Sequence, residues 1–291
     1  MKGIEVGNQS KENIQNPADL VMTAEEYAES RHDTPYVYEV SEGDVDILYF
    51  GANHSSTPED PMFDEIEERF KSFNADIVLV EGMGSLEERK EQKAQRLRDH
   101  SKEDAIDMSG ESGFVLKLAA DEKIDFISPE PKPKDEIDAL ESQGFSRDEI
   151  FAYYFYRLIP QWHRQPNKPD IKDYVEPHLR GLAEDSGWDD YDFSFDHAVK
   201  IGEELWGEDI NLENEGYYHD KTDPIPWEEA KDLQGVINRV SRACSRFRDQ
   251  HMIQRLSEVL ETYKRPFIVF GASHAFMQEP AIRKLVSTKS S

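Results

Sequence analysis

Two stretches at opposite ends of the chain constrain the fold more than any other feature. Val45–His54 reads VDILYFGANH and Pro266–His274 reads PFIVFGASH. Each is an apolar run of strand length that closes on Phe-Gly-Ala-x-His. An uninterrupted apolar run of this length, ended by Gly and small polar residues, is the pattern of a strand buried on both faces and leaving its sheet. Gly51 and Gly271 are expected to let the backbone turn sharply there. His54 and His274 then fall just past the carboxyl ends of two strands, the edge at which open parallel sheets bind ligands. The expectation is one polar site built from both imidazoles, far apart as they are in sequence.

The other runs place the rest of the sheet. Tyr36–Val40 is a short strand, and Ser41-Glu-Gly-Asp44 is turn chemistry, which predicts a hairpin with Val45–Phe50. Pro58-Glu-Asp60 opens a helix that runs to about Phe73 on Met62, Phe63, Ile66 and Phe70. Its positive end is expected to face His54. Ala75–Val80, ADIVLV, is a buried strand that ends in Glu81-Gly82. A carboxylate there, after a run of apolar neighbours, needs a partner. Leu86–Arg98 reads as a solvated helix and Phe114–Ala120 as an apolar one. Lys123–Ser128 reads as a further parallel strand, ended by Pro129-Glu130-Pro131. Strand and helix alternate, so the fold class is α/β: a central, mostly parallel sheet with an N-terminal hairpin strand.

From about 135 to 230 helical patterns rich in aromatic residues replace this alternation. That segment reads as a helical cap inserted over the strand ends. Its histidines, His163, His178, His197 and His219, match no metal-binding spacing. Between Trp227 and Lys264 the pattern is helical and broken somewhere, with Arg242, Arg246 and Arg248 clustered on it. A short helix near Glu279–Leu285 and a frayed tail follow the last strand. The expected organisation is a loosely packed N-terminal segment (1–35), a first core part (36–134), the cap (135–230) and a second core part (231–291).

Charge excludes several function classes. The chain has 34 basic and 61 acidic residues among 291, a net −27. Phosphate backbones and anionic membranes would be repelled, so nucleic acid is not an expected partner. No apolar stretch has the ~18 residues of a membrane span, and the N-terminus lacks the apolar middle of a signal peptide. The single cysteine, Cys244, excludes internal disulfides and a cysteine-based zinc cage. A cytoplasmic protein, with the acidic surface of a halophile, is the expectation.

Three strand ends thus offer His54, Glu81 and His274. Two imidazoles and a carboxylate are a common ligand set for Zn²⁺, Mn²⁺ or Co²⁺ with open positions for water. Such a metal activates water for hydrolysis. The same residues also suit metal-free chemistry: one histidine as general base, Glu81 orienting it, and Arg248 or loop amides stabilising an oxyanion. The expected partner is a peptide or small-molecule substrate.

The GANH and GASH pair, the Val-Leu-Val-Glu-Gly run ending in Glu81 and Gly82, and Arg248-Asp249-x-x-Met252 before the last strand resemble the TraB/PrgY/GumN family. That family sits in a superfamily with Tiki proteases, erythromycin esterases and ChaN haem-iron proteins. The resemblance covers mainly 36–82 and 240–286. It implies an active site on Gly51–His54, Gly271–His274 and Glu81. It also implies an arginine-asparagine pair at 248 and 249, from which Asp249 departs with a negative charge. Erythromycin-esterase-like members carry a glutamate where this chain has Ala52, which argues against macrolide esterase activity. Tiki-like members imply a metal-dependent protease. ChaN-like and pheromone-shutdown members imply instead a binding protein that sequesters a metal, a haem-like cofactor or a short peptide.

Overall fold

The computed structural model describes residues 16–83, 90–165, 167–224 and 235–289. Five strands form one sheet: β1 (Tyr36–Glu42), β2 (Val45–Ala52), β3 (Ile77–Val80), β4 (Asp125–Ile127) and β5 (Pro266–Gly271), in the spatial order β1-β2-β5-β3-β4. β1 pairs antiparallel with β2, through the expected hairpin turn, where Gly43 has φ 65°. All other pairings are parallel. The chain's last strand therefore lies between β2 and β3, and this sets His54, Glu81 and His274 on adjacent strand ends.

The apolar runs explain the layers. In β5, Phe267 and Val269 face one side of the sheet, and Ile268 and Phe270 the other; β2 and β3 alternate in the same way. The first face is covered by the Pro61–Phe73 and Lys102–Glu122 helices, through Met62, Phe63, Ile66, Phe114 and Val115. The second is covered by the Val236–Val259 and Ala272–Lys289 helices, through Met252, Ile253, Leu256, Ile282 and Leu285. Continuous apolar strands are stable only when both faces are covered in this way.

The segment from Pro133 to Thr222 is helical among its described residues and has its own apolar cluster, around Phe151, Phe155, Tyr156, Trp162 and Trp206. The Val236–Val259 helix joins the two units. Its first half puts Ile237, Val240 and Cys244 into the helical cluster, and its second half packs on the sheet. Arg248 and Asp249 lie at the seam.

Several expectations change. The helical pattern after 227 is one unbroken helix over its described part, Val236–Val259; Trp227 lies outside the described residues. The Leu86–Arg98 helix is described only as Lys90–Asp99. The last helix starts at Ala272, not near Glu279, so His274 stands in a helical first turn rather than a loop. The described N-terminal segment is not loose: Ala18 and Val21 are buried in the core of the second face, and Met22 N–H donates to Met277 O at 3.0 Å. Two short apolar side chains sufficed for this docking, too little periodicity to read in advance.

Gly51 and Gly271 also serve a different purpose from the one expected. Neither has positive φ. At Gly51 a Cβ would lie 2.7 Å from Ala275 Cβ and 2.7 Å from Tyr36 O, so glycine lets the last helix approach the sheet. At Gly271 a Cβ would lie 3.0 Å from His54 Nε2 and 3.5 Å from Glu81 Oε2. The missing side chain makes room for the site.

Candidate functional site

The site is centred on Glu81, at the end of β3. Its Oε2 accepts a hydrogen bond from the Gly271 N–H at 2.8 Å. Its Oε1 lies 3.6 Å from His274 Nε2 and 3.6 Å from an Arg248 guanidinium nitrogen. Burial pushes the Glu81 carboxyl up, but His274, Arg248 and the Gly271 N–H outweigh it and hold the carboxyl below the usual range. Glu81 is thus an ionised acceptor at neutral pH.

His54 and His274 both lie beside this carboxylate, and each is tied through Nδ1 to a second acid. His54 Nδ1 is 2.6 Å from Glu111 Oε1. That hydrogen bond raises the His54 pKa above 6.5, against the lowering effect of burial. The His54 side chain is nevertheless 68% exposed. His274 Nδ1 is 2.7 Å from Asp249 Oδ1. Burial lowers the pKa of this enclosed imidazole, but the Asp249 and Glu81 carboxylates raise it to about 9. His274 is therefore an imidazolium at neutral pH.

Glu111 reaches His54 because the Lys102–Glu122 helix is kinked. Ser109 (φ −155°, ψ 25°) and Gly110 (φ 53°, ψ −139°) leave helical geometry. Both residue types are poor in helix interiors, and only glycine enters such a conformation without strain. A Cβ on Gly110 would sit 2.8 Å from Ser55 O. The turn after the kink presents Glu111 to His54 and Ser112 Oγ to the Glu81 carbonyl, at 2.8 Å. The N-terminus of the Pro61–Phe73 helix is capped by Asp60, which accepts from Met62 N–H at 3.0 Å.

Asp249 is fully buried. It also accepts from Gln278 Nε2 at 2.6 Å, and Tyr49 Oη donates to Gln278 Oε1 at 3.0 Å. Asp249 Oδ2 has no partner among the described residues. Arg248 is held by a short ion pair to Glu130 and lies 3.6 Å from Glu136 Oε1. Glu130 Oε2 in turn accepts the Gly82 N–H at 2.6 Å, and Tyr154 Oη donates to Glu136 Oε2 at 2.8 Å. Burial pushes the Glu136 carboxyl up, with Arg248 and the Tyr154 hydroxyl opposing it. Burial, then Glu136, push the Cys244 thiol up to about 12, so it is inert.

The fold therefore brings together His54, Glu81, His274 and Arg248. The sequence reading missed Glu111, Glu130 and Glu136 and had no role for Gln278. The one available signal for Glu111 was Ser109-Gly-Glu-Ser-Gly113, turn chemistry inside a helical stretch. His163 and His197 make local hydrogen bonds to the Leu212 and Asp192 carbonyls, away from the site.

His54, Glu81 and His274, the expected ligands of one divalent ion, each stand with another partner: Glu81 with the Gly271 N–H, His54 with Glu111 and His274 with Asp249. Glu81 Oε2 is engaged by the Gly271 N–H, and Oε1 is flanked by His274 and Arg248. Among the described residues no three His, Cys, Asp or Glu are grouped to hold a metal ion.

A cleft of about 990 Å³ opens beside the site, with Arg248, Ser273 and His274 in its wall. Among the described residues no helix is long and apolar enough to cross a membrane. Compared with family models, curated proteins and solved structures, the chain matches none of them, so the geometry alone carries the functional argument.

Proposed function

We infer that the protein is a hydrolase of ester or peptide bonds working by acid–base chemistry. The observation that carries this reading is the pair of carboxylate-backed imidazoles on either side of Glu81, one exposed and one held protonated. With Nδ1–H donating to Glu111, His54 Nε2 carries the lone pair and takes a proton from water. The hydroxide oxygen bonds to the substrate carbonyl carbon. His274, a buried cation, stabilises the oxyanion that forms. The C–O or C–N bond then breaks, and His54 returns its proton to the leaving group. Glu81 and Asp249 keep His274 charged and oriented, as positioning residues. Arg248, enclosed by three carboxylates, stabilises the acids rather than the substrate.

The test is a screen of ester and peptide substrates with wild type and His54→Ala. Turnover is expected to fall by about 10²–10⁴, the usual contribution of a positioned base. The rate is expected to rise as His54 loses its proton, above pH 6.5, and to fall as His274 loses its own near pH 9. Turnover unchanged in His54→Ala refutes the assignment.

One observation favours a second reading, the divalent-metal hydrolase. Imidazoles whose Nδ1 atoms are tied to carboxylates are the usual ligands of catalytic metals. In that case chelation abolishes activity and elemental analysis finds an ion lost in His54→Ala and His274→Ala. In the acid–base reading chelation has no effect.

A further inference from the structure

The walls of the cleft beside His274 differ in chemistry. Met22, Tyr27 and Met277 make an apolar side, and four arginines of the Val236–Val259 helix line the cleft as well: Arg239, Arg242, Arg246 and Arg248. Among the described residues, only two carboxylate residues, Glu25 and Asp223, are in the lining. This is a basic recess in a chain of net charge −27.

Three of the four guanidiniums have carboxylates. Arg242 pairs with Glu25 at 3.1 Å, Arg239 lies 3.7 Å from Glu149, and Arg248 is held by Glu130 with Glu81 and Glu136. Arg246 differs. Its Nη1 is shielded from water and has no hydrogen-bond partner among the described residues. Arg246 is half-buried, lines the cleft and has no ion-pair carboxylate among the described residues, so an anion entering the cleft meets a guanidinium whose charge is not yet balanced.

We propose that the cleft binds an acyl or peptidyl substrate carrying a free carboxylate, which Arg246 receives. The planar guanidinium fork matches a carboxylate through two parallel hydrogen bonds. The one cation of the lining with no ion pair among the described residues balances a monoanion, whereas a phosphate dianion would leave surplus negative charge inside an already acidic molecule. Met22, Tyr27 and Met277 hold the apolar part of the same molecule. That the bond to be cut lies at His274 rests on the hydrolase reading; the carboxylate subsite does not.

The experiment is calorimetric titration of the full chain with N-acetyl-L-phenylalanine and with N-acetyl-L-phenylalaninamide, which differ in charge and hardly in shape. Wild type is expected to bind the acid at least about tenfold more tightly than the amide, the worth of a charge-assisted hydrogen bond. Arg246→Gln removes the preference, and Arg246→Lys keeps part of it. Thermal melts confirm that the variants fold. Should Arg246→Gln fail to fold, the acid-to-amide ratio of wild type, and its decrease with added salt, still decides. Equal affinities, binding of neither compound, or a full preference kept by a folded Arg246→Gln overturns the proposal. Failure of the hydrolase reading would look different: the preference intact, with no turnover.

Discussion

Replacing Asp249 by asparagine removes the charge that keeps His274 protonated while leaving an oxygen for the imidazole Nδ1–H and for Gln278. His274 is only 15% exposed, and burial alone would lower its pKa below 6.5; with Asp249 and Glu81 beside it the value is about 9. At ~1.4 kcal/mol per pH unit, that rise corresponds to about 3 kcal/mol in favour of the charged form. Its sign follows from linkage. The folded value exceeds the unfolded one, so the stabilisation is fully present below pH 6.5 and is lost as pH rises through about 9. In Asp249→Asn the Glu81 contribution remains, so the His274 midpoint is expected to fall by about 1–3 pH units, the usual effect of one adjacent carboxylate. Proton NMR of the imidazole Cε1–H, titrated in both proteins and assigned with His274→Gln, reads the midpoint directly. Urea denaturation provides the second measurement: wild type should lose more stability than the variant between pH 6.5 and pH 9. The reasoning is refuted if His274 titrates at or below 6.5 in wild type, or if its midpoint is the same in both proteins.

Two further perturbations test the packing around the site. Gly271→Ala places a methyl carbon 3.0 Å from His54 Nε2. The exposed ring is expected to move, so turnover falls while the melting temperature changes little; loss of stability with turnover intact would contradict the role given to this glycine. Arg248→Met leaves Glu81, Glu130 and Glu136 facing one another at the seam of the two units. Breaking a buried ion cluster costs about 3–5 kcal/mol, and the deficit should shrink as pH falls and the carboxylates take up protons; urea denaturation at neutral and acidic pH that shows no deficit refutes it.

Much of this architecture follows from local chemistry. The alternation of apolar strands and amphipathic helices defines an α/β fold, because a strand apolar on both faces has to be covered on both faces. The Ser41–Asp44 turn defines the hairpin, and the repeated Phe-Gly-Ala-x-His endings mark the strand edge where polar groups gather. His54, Glu81 and His274 were legible for that reason: an ionisable residue directly after an apolar strand needs a partner close by.

The partners themselves belong to the tertiary structure. Glu111 meets His54 through a kink within a helix, and Asp249 meets His274 across two helices on the same face of the sheet. The turn chemistry around Glu111 and the Arg248-Asp249 pair mark these positions but not their partners, since hydrophobic periodicity sets which face of a helix is buried but not which of its carboxylates meets a distant imidazole. The insertion of β5 between β2 and β3 is likewise a property of the assembled sheet. It decides that two histidines from opposite ends of the chain share one carboxylate. It also gives them unlike surroundings, one open to water and one enclosed.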